Sequence, residues 1–284
     1  MDIVDAQVHL FMTMDETQAL VAMDALGIQS MMIDEAWAMS FGSTEGINPA
    51  YELPNGVRRH ISPGGVMAAL RYPDRFSWLR RMHPDDPDLG NQISQVKDAP
   101  GGRAIRLDAN PPSEARAAAE GARMDYFRVV AKQGVPLFLM SPGHVPAYER
   151  YIRAFPDMPI ALDHCGFPQQ IEEFDQVLAM AAYPNVYLKW AHAPTVFRSQ
   201  QHPFPEVTPH LKRAIDAFGP NRIMWASDIS AVPFASQHLK RNPPYSWGEA
   251  LFSVRDNPEL SDGDKEWILG RTARTFLDWP APKA

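Results

Sequence analysis

Asp228, His164, His9 and Gln7 are the residues whose types and positions promise chemistry. Asp228 ends the run Ile223-Met224-Trp225-Ala226-Ser227-Asp228. A carboxylate delivered this way among apolar neighbours is a general base for a water molecule, and burial is expected to raise its pKa toward a useful value. His9 and His164 can polarise a carbonyl or stabilise an oxyanion. Gln7 can do the same as a neutral donor in any protonation state. Arg106 and one of the adjacent pair Arg58 and Arg59, assigned to Arg59, would grip a substrate carboxylate, because a guanidinium offers two parallel hydrogen bonds. Lys189 and His192 add positive potential on the far side. Trp37, with Phe41, Tyr51, Phe197, Phe204, Phe234, Tyr245 and Trp247, lies on Pro-bearing segments and favours a ring-sized, partly apolar ligand.

These residues must be positioned by short apolar runs. Ile3–Leu10, Ser30–Asp34, Phe76–Met82, Ala104–Leu107, Val135–Met140, Ile160–Leu162, Val186–Trp190 and Ile223–Trp225 read as strands. Helical patterns such as Glu16–Leu26, Ala115–Gln133, Pro146–Phe155 and Ile171–Tyr183 separate most of them. Alternating strands and helices predict an α/β fold with a parallel sheet, here a closed (β/α)8 TIM barrel forming one domain over residues 1–284. Segments leading into strands are terse and carry Gly and Pro stop signals. Those after the second, seventh and eighth strands are long: Ala38–Pro73, Ala193–Thr208 and Ile229–Tyr245. Long loops on the C-terminal face alone are what an enzyme barrel shows. Alternation along the first strand predicts Asp5, Gln7 and His9 on one face. It likewise aligns Arg106 with Asp108, His164 with Ile160 and Leu162, and Asp228 with Met224 and Ala226.

Asp5-Ala6-Gln7-Val8-His9 resembles the Asp-x-His-x-His first-strand motif of the amidohydrolase-related superfamily. Leu162-Asp163-His164-Cys165-Gly166 resembles its sixth-strand motif, and Trp225-Ala226-Ser227-Asp228 its eighth-strand end. Tyr72-Pro73-Asp74-Arg75-Phe76, Val186–Lys189 and Ile268–Arg274 match further motifs in the right order. The nearest branch is similar to pyrone-dicarboxylate and sugar lactonases. The resemblance implies hydrolysis of a lactone, or a related ester or amide, on a small anionic, ring-containing substrate. Its metal-dependent members hold a divalent ion with two first-strand histidines, a fifth-strand histidine and the eighth-strand aspartate. Here Gln7 replaces the first of these. The fifth strand ends near Met140 without a histidine, and His144 lies beyond a Pro-Gly turn. His9 and Asp228 remain, with His164 as a third. Glutamine is a poor replacement for imidazole at a zinc-type site, and pyrone-type lactonases work without metal. No metal and no cofactor are therefore expected; a single divalent ion, Zn or Mn, is the alternative. A metal-assisted decarboxylase and a barrel that only binds ligand are the other function classes.

Bland readings compete at several positions. Arg106 has Asp108 available as a structural partner, Arg58-Arg59-His60 can be a solvated loop edge, and Cys165 faces away from His164 as inert packing. No Gly-x-Ser-x-Gly elbow and no glycine-rich phosphate loop occur. The chain has 284 residues, 45% hydrophobic and 21% charged, with a net charge of −7 that argues against nucleic acid. No run resembles a membrane span or a secretory signal, and one cysteine fits a reducing cytoplasm. The closing segment Lys265–Trp279 has helical spacing of Trp267, Leu269, Phe276 and Leu277, which can pack on the barrel or, in a homo-oligomer, on a neighbour.

Overall fold

In the computed structural model, residues 1–11, 14–36, 38–39, 46–47, 49–109, 112–232, 240–242 and 245–282 are described. Each apolar run becomes a strand: β1 (Val4–Val8), β2 (Ser30–Asp34), β3 (Phe76–Arg81), β4 (Gly102–Asp108), β5 (Leu137–Met140), β6 (Ile160–Leu162), β7 (Val186–Trp190) and β8 (Ile223–Trp225). They pair in parallel and in sequence order from β1 to β8. The first and last strands are joined just beyond β8. There the Asp228 amide donates to the Gln7 carbonyl at 2.9 Å and the His9 amide to the Ile229 carbonyl at 3.0 Å. The fold is a TIM barrel.

Two apolar layers hold it. Alternate strand residues, among them Val4, Ala6, Met32, Leu79, Ala104, Phe138, Ala161 and Met224, form one buried cluster with Phe276, Leu277 and Trp279. Alanines facing Met, Leu and Phe let large side chains fill the narrow interior. Phe276 meets Phe138 edge-on at 5.3 Å, so the closing segment packs on its own barrel. Residues of opposite phase, such as Ile33, Trp78, Ile105, Leu139, Leu162 and Trp225, pack outward with helix residues Met23, Phe127, Phe174 and Leu211.

The helices start and stop for local reasons. Glu16–Leu26 opens on a reciprocal Asp15–Gln18 capping box and closes at Gly27, whose φ of 76° suits a left-handed cap. The expected long helix Ala115–Gln133 is instead two, Pro112–Glu120 and Met124–Gln133. Gly121, at φ 87°, turns the chain between them. The long segment after β2 is not bare loop: it carries an antiparallel pair, Ala50–Glu52 with Arg58–His60, and the helix Pro63–Arg71. After β8, Ser230–Val232 pairs antiparallel with Lys240–Asn242. No helix among the described residues is long and apolar enough to cross a membrane.

Candidate active site

Simple alternation fails where the strands end, and that failure builds the site. In β1 the register to β2 advances from Asp5↔Met31 to Val8↔Ile33, three residues against two, which marks a bulge. Asp5 therefore leaves the expected row with Gln7 and His9. Its carboxylate accepts from the Ser227 amide at 2.9 Å and from the Trp247 indole at 2.7 Å. His164 also departs from the phase of Ile160 and Leu162, which pack outward. His164, His192 and Asp228 have left-handed backbones, with φ of 51°, 53° and 51°. Such conformations cost on the order of 1–3 kcal/mol each and persist where surrounding structure enforces them. Here they swing three side chains onto one point as the chain leaves β6, β7 and β8. One ligand atom from each lies within 4.8 Å of the others.

Asp228 is the hub. Its Oδ1 accepts from Gln7 Nε2 at 2.6 Å and lies 3.1 Å from His9 Nε2. Its Oδ2 lies 2.7 Å from His192 Nε2 and 3.4 Å from His164 Nε2. Gln7 is oriented on both sides, since Lys189 Nζ donates to its Oε1 and its Nε2 also reaches Asp34 at 3.3 Å. Sequence reasoning under-rated His192, whose imidazole belongs to this hub.

Beneath it runs a buried ion network. Arg106 joins Asp163 (2.7 Å) to Asp34 (2.6 Å), and Lys189 pairs with Asp163 at 2.6 Å. Arg81 grips Asp34 through two nitrogens at 3.0 and 2.8 Å and touches Asp108 at 3.4 Å. Asp34, Asp163 and Arg81 were missed as site residues, although Arg81 shares the face of Leu79 and Asp34 ends a strand. Arg106 is thus held by two carboxylates, neither of them the anticipated Asp108. Arg59 is bound bidentately by Asp86 at 2.7 and 2.6 Å, on the hairpin rather than in the hub. Trp37, Phe41 and Phe234 lie outside the described residues. Among the other aromatics, Phe197 stacks on His210 at 4.1 Å, Phe204 packs on Tyr245 at 5.5 Å, and Trp247 serves Asp5. They anchor loops instead of facing a ligand. Cys165 is buried, with its thiol against the Ala191 carbonyl, and burial pushes its pKa up.

Electrostatics follow from these contacts. Burial opposes a charge on Asp228, but His9, His164 and the hydrogen bonds from His192 and His9 outweigh it and hold the carboxyl well below its ordinary range. The expected upward shift is therefore reversed, because histidines surround the group. Burial also works against charge on His9, yet Asp228 and Asp34 raise its pKa. Burial, helped by His192 and Lys189, keeps His164 well below the ordinary imidazole value. The hub thus sets His9, whose charged form its two acid neighbours favour, beside His164, whose neutral form burial favours.

Asp5 behaves oppositely. Burial pushes its pKa up to about 7, whereas the unfolded carboxyl titrates near 4. Between those values the native state holds the extra proton, so stability falls as pH rises through about 4 to 7, by up to about 4 kcal/mol. Urea unfolding at pH 5 and pH 8 checks this. The loss should shrink in Asp5→Asn, and an identical pH dependence in that variant would place the effect elsewhere.

His164, His192 and Asp228 are also a donor set of the kind zinc takes. His9 lies beside Asp228, so more nitrogen is at hand than the sequence indicated.

The amidohydrolase family model matches residues 4–279. Over 98 residues the chain is 31% identical to L-fucono-1,5-lactonase of Burkholderia ambifaria, a match covering 32% of this chain and 32% of that enzyme's length. An amidohydrolase from Burkholderia multivorans, solved with bound zinc, superposes with a TM-score of 0.70 at 17% identity, covering 99% of this chain and 100% of that one. A Pseudomonas putida protein assigned as a 2-pyrone-4,6-dicarboxylic acid hydrolase gives 0.67 at 15% identity, covering 98% of each. At these identities the structural likeness establishes a shared fold. With its family match running almost end to end over a barrel whose strand tips converge on Asp228, this chain belongs to the amidohydrolase family.

Proposed function

We propose that the protein opens a small cyclic ester, a lactone, by adding water to its carbonyl. The observation that carries this is the Asp228 carboxylate, ringed by His9, His164, His192 and Gln7 at the C-terminal ends of the strands. Water lodged against Asp228 Oδ2 attacks the carbonyl carbon as its proton passes to the carboxylate. Because Asp228 is held ionised it is always available, though a weak base, so much of its contribution is to orient the water. The oxyanion formed at the carbonyl is met by His9, whose protonation Asp228 and Asp34 favour, while Gln7, its amide engaged by Asp228 and Asp34, holds the carboxylate in place. As the ring C–O bond breaks, the alkoxide takes a proton relayed through His164, giving a hydroxy acid.

The hydrolysis runs without metal in this reading. Gln7, held in place by Lys189, occupies a corner where a first-strand imidazole would act as ligand, and the buried Lys189 cation lies directly behind it. A divalent ion, if bound, would be held by His164, His192 and Asp228. It would supply Lewis-acid polarisation of the carbonyl and a more acidic water. The test is metal analysis of purified protein together with turnover after chelation. Substoichiometric metal and undiminished kcat are expected; one tightly held ion per chain, with activity lost on its removal, would overturn the metal-free reading.

The substrate's acid group is the part most changed by the structure. Arg106 and Arg59, assigned to grip it, already hold carboxylates of the protein. Arg58 makes no hydrogen bond or ion pair among the described residues and lines a cavity of about 360 Å³ at the mouth. It takes over the role given to Arg59. A lactone panel read by acid release, with carbon dioxide measured in parallel, tests the reaction class: carbon dioxide in place of titratable acid would favour a decarboxylase.

A further inference from the structure

Charge alone would set Lys189 against a substrate, but β7 turns it inward and encloses it. Val186, Leu188 and Trp190 pack toward the helices, so the alternate Lys189 enters the barrel, where it is fully buried. A substrate has no access to it. An ammonium carries three N–H groups and accepts nothing, and here they find partners inside the protein. Nζ lies 2.6 Å from Asp163 Oδ1 and 4.8 Å from the centre of the Phe138 ring, and it donates to Gln7 Oε1.

Gln7 is the group through which Lys189 reaches the hub. It is also fully buried, and both ends of its amide are committed. Nε2 donates to Asp228 Oδ1 at 2.6 Å and to Asp34 at 3.3 Å, while Lys189 is the donor that Oε1 meets among the described residues. The two orientations of the amide are therefore not equivalent. With Oε1 toward Lys189, every contact joins a donor to an acceptor. Without Lys189, Oε1 would be a buried acceptor left unpaired, which is a costly state. A second donor stands close by, since His9 Nε2 lies 3.4 Å from Gln7 Nε2. Turning the amide over to meet it would set Oε1 against the Asp228 carboxylate, acceptor against acceptor. A cation on the carbonyl also polarises the amide and strengthens donation from its other end. Asp228 Oδ1 is thus held by Gln7 and His9, and Oδ2 faces His164 and His192.

We propose that Lys189 is a positioning residue: it fixes the Gln7 amide, and the amide pins Asp228 Oδ1 so that Oδ2 is the oxygen presented to water. The inference rests on the reading of Asp228 as the group that takes the proton of the attacking water in lactone opening. It makes Lys189 and Gln7 one unit acting in series, not two separate contributors.

The test is a double-mutant cycle in the intact protein, with Lys189→Met, Gln7→Met and both changes together. Methionine keeps an unbranched stem at either place. Kinetics use whichever of δ-valerolactone, γ-butyrolactone and dihydrocoumarin is hydrolysed fastest. Each single change should lower kcat about tenfold, the scale of one hydrogen bond to a charged group, with KM unchanged. The double variant should also fall about tenfold, where independent contributions would multiply to about a hundredfold. Losses that multiply, or a raised KM with kcat intact, overturn the proposal. A second readout needs no turnover. The Gln7 side-chain amide gives a heteronuclear NMR signal, identified by its absence from Gln7→Met, and Lys189→Met should shift it; an unshifted signal overturns the proposal. Should Lys189→Met fail to fold, Gln7→Met decides, because it leaves the ion network whole. Its kcat about tenfold down at unchanged KM supports the proposal, and a kcat within about twofold of wild type means that nothing is positioned through Gln7. The two readings fail separately. No hydrolysis of any lactone, with the amide signal moved by Lys189→Met, sinks lactone opening alone, whereas hydrolysis with multiplying losses sinks the role of Lys189 alone.

Discussion

Asp228→Asn is expected to lower kcat for lactone opening by about 10³-fold, within the range of a lost general base, while KM and the melting temperature change little. Asparagine keeps an oxygen that can accept from Gln7 and His9, so the hub remains assembled, but it cannot take the proton of the attacking water. The change should therefore appear in kcat and not in binding. The pH profile gives a second readout: a carboxylate held this low stays ionised across the neutral range, so its titration should not limit the wild-type rate above about pH 5. Turnover of Asp228→Asn within a fewfold of wild type would place the base on another group, with His164 the next to test.

The second large effect is on stability. Arg106 is buried at 3% exposure and bridges Asp34 and Asp163, both fully enclosed. Removing one member of a buried ion network leaves charge without a partner, a loss of about 3–5 kcal/mol. Arg106→Leu should accordingly melt on the order of 10 °C lower. The two acids would keep Arg81 and Lys189 respectively, so the loss should sit at the lower end of that range. Arg106→Lys should recover only part of it, because one ammonium cannot present the forked geometry that reaches both acids. Thermal melts of the three proteins check this. A melting temperature unchanged in Arg106→Leu would mean that Arg106 is not a structural bridge and would return it to substrate binding.

The barrel was legible because its strands are short apolar runs bounded by Gly and Pro, and because the long segments, after the second, seventh and eighth strands, all lie on one face. Ser30–Asp34, Ile160–Leu162, Val186–Trp190 and Ile223–Trp225 needed no correction. The site was legible as a set of strand-end residues but not as an arrangement. Alternation assumes an unbroken pleat, and the pleat breaks at the Asp5–Val8 bulge and at the left-handed His164, His192 and Asp228. Those turns are enforced by contacts across the barrel, which a local pattern does not contain. The same holds for Arg58 and Arg59. One step along a hairpin strand exchanges its faces, and only the position of Asp86, twenty-seven residues on from Arg59, decides which guanidinium is already engaged. The reversal of the Asp228 shift has the same origin, since burial could be anticipated and three converging imidazoles could not.

The seam between the two ends of the barrel has a consequence for how the enzyme comes into being. Gln7 and Asp228 are 221 positions apart, and the backbone bonds that close the cylinder run through these same residues and their neighbours. During synthesis, His9 leaves the ribosome 219 residues before its carboxylate partner Asp228. A nascent chain has no reactive centre at any intermediate length, because the centre comes into existence with the last strand. In the finished protein the dependence runs the other way. Any excursion that parts β1 from β8 silences catalysis while most of the helices and strands are still in place, so activity reports on closure more sensitively than any measure of secondary structure.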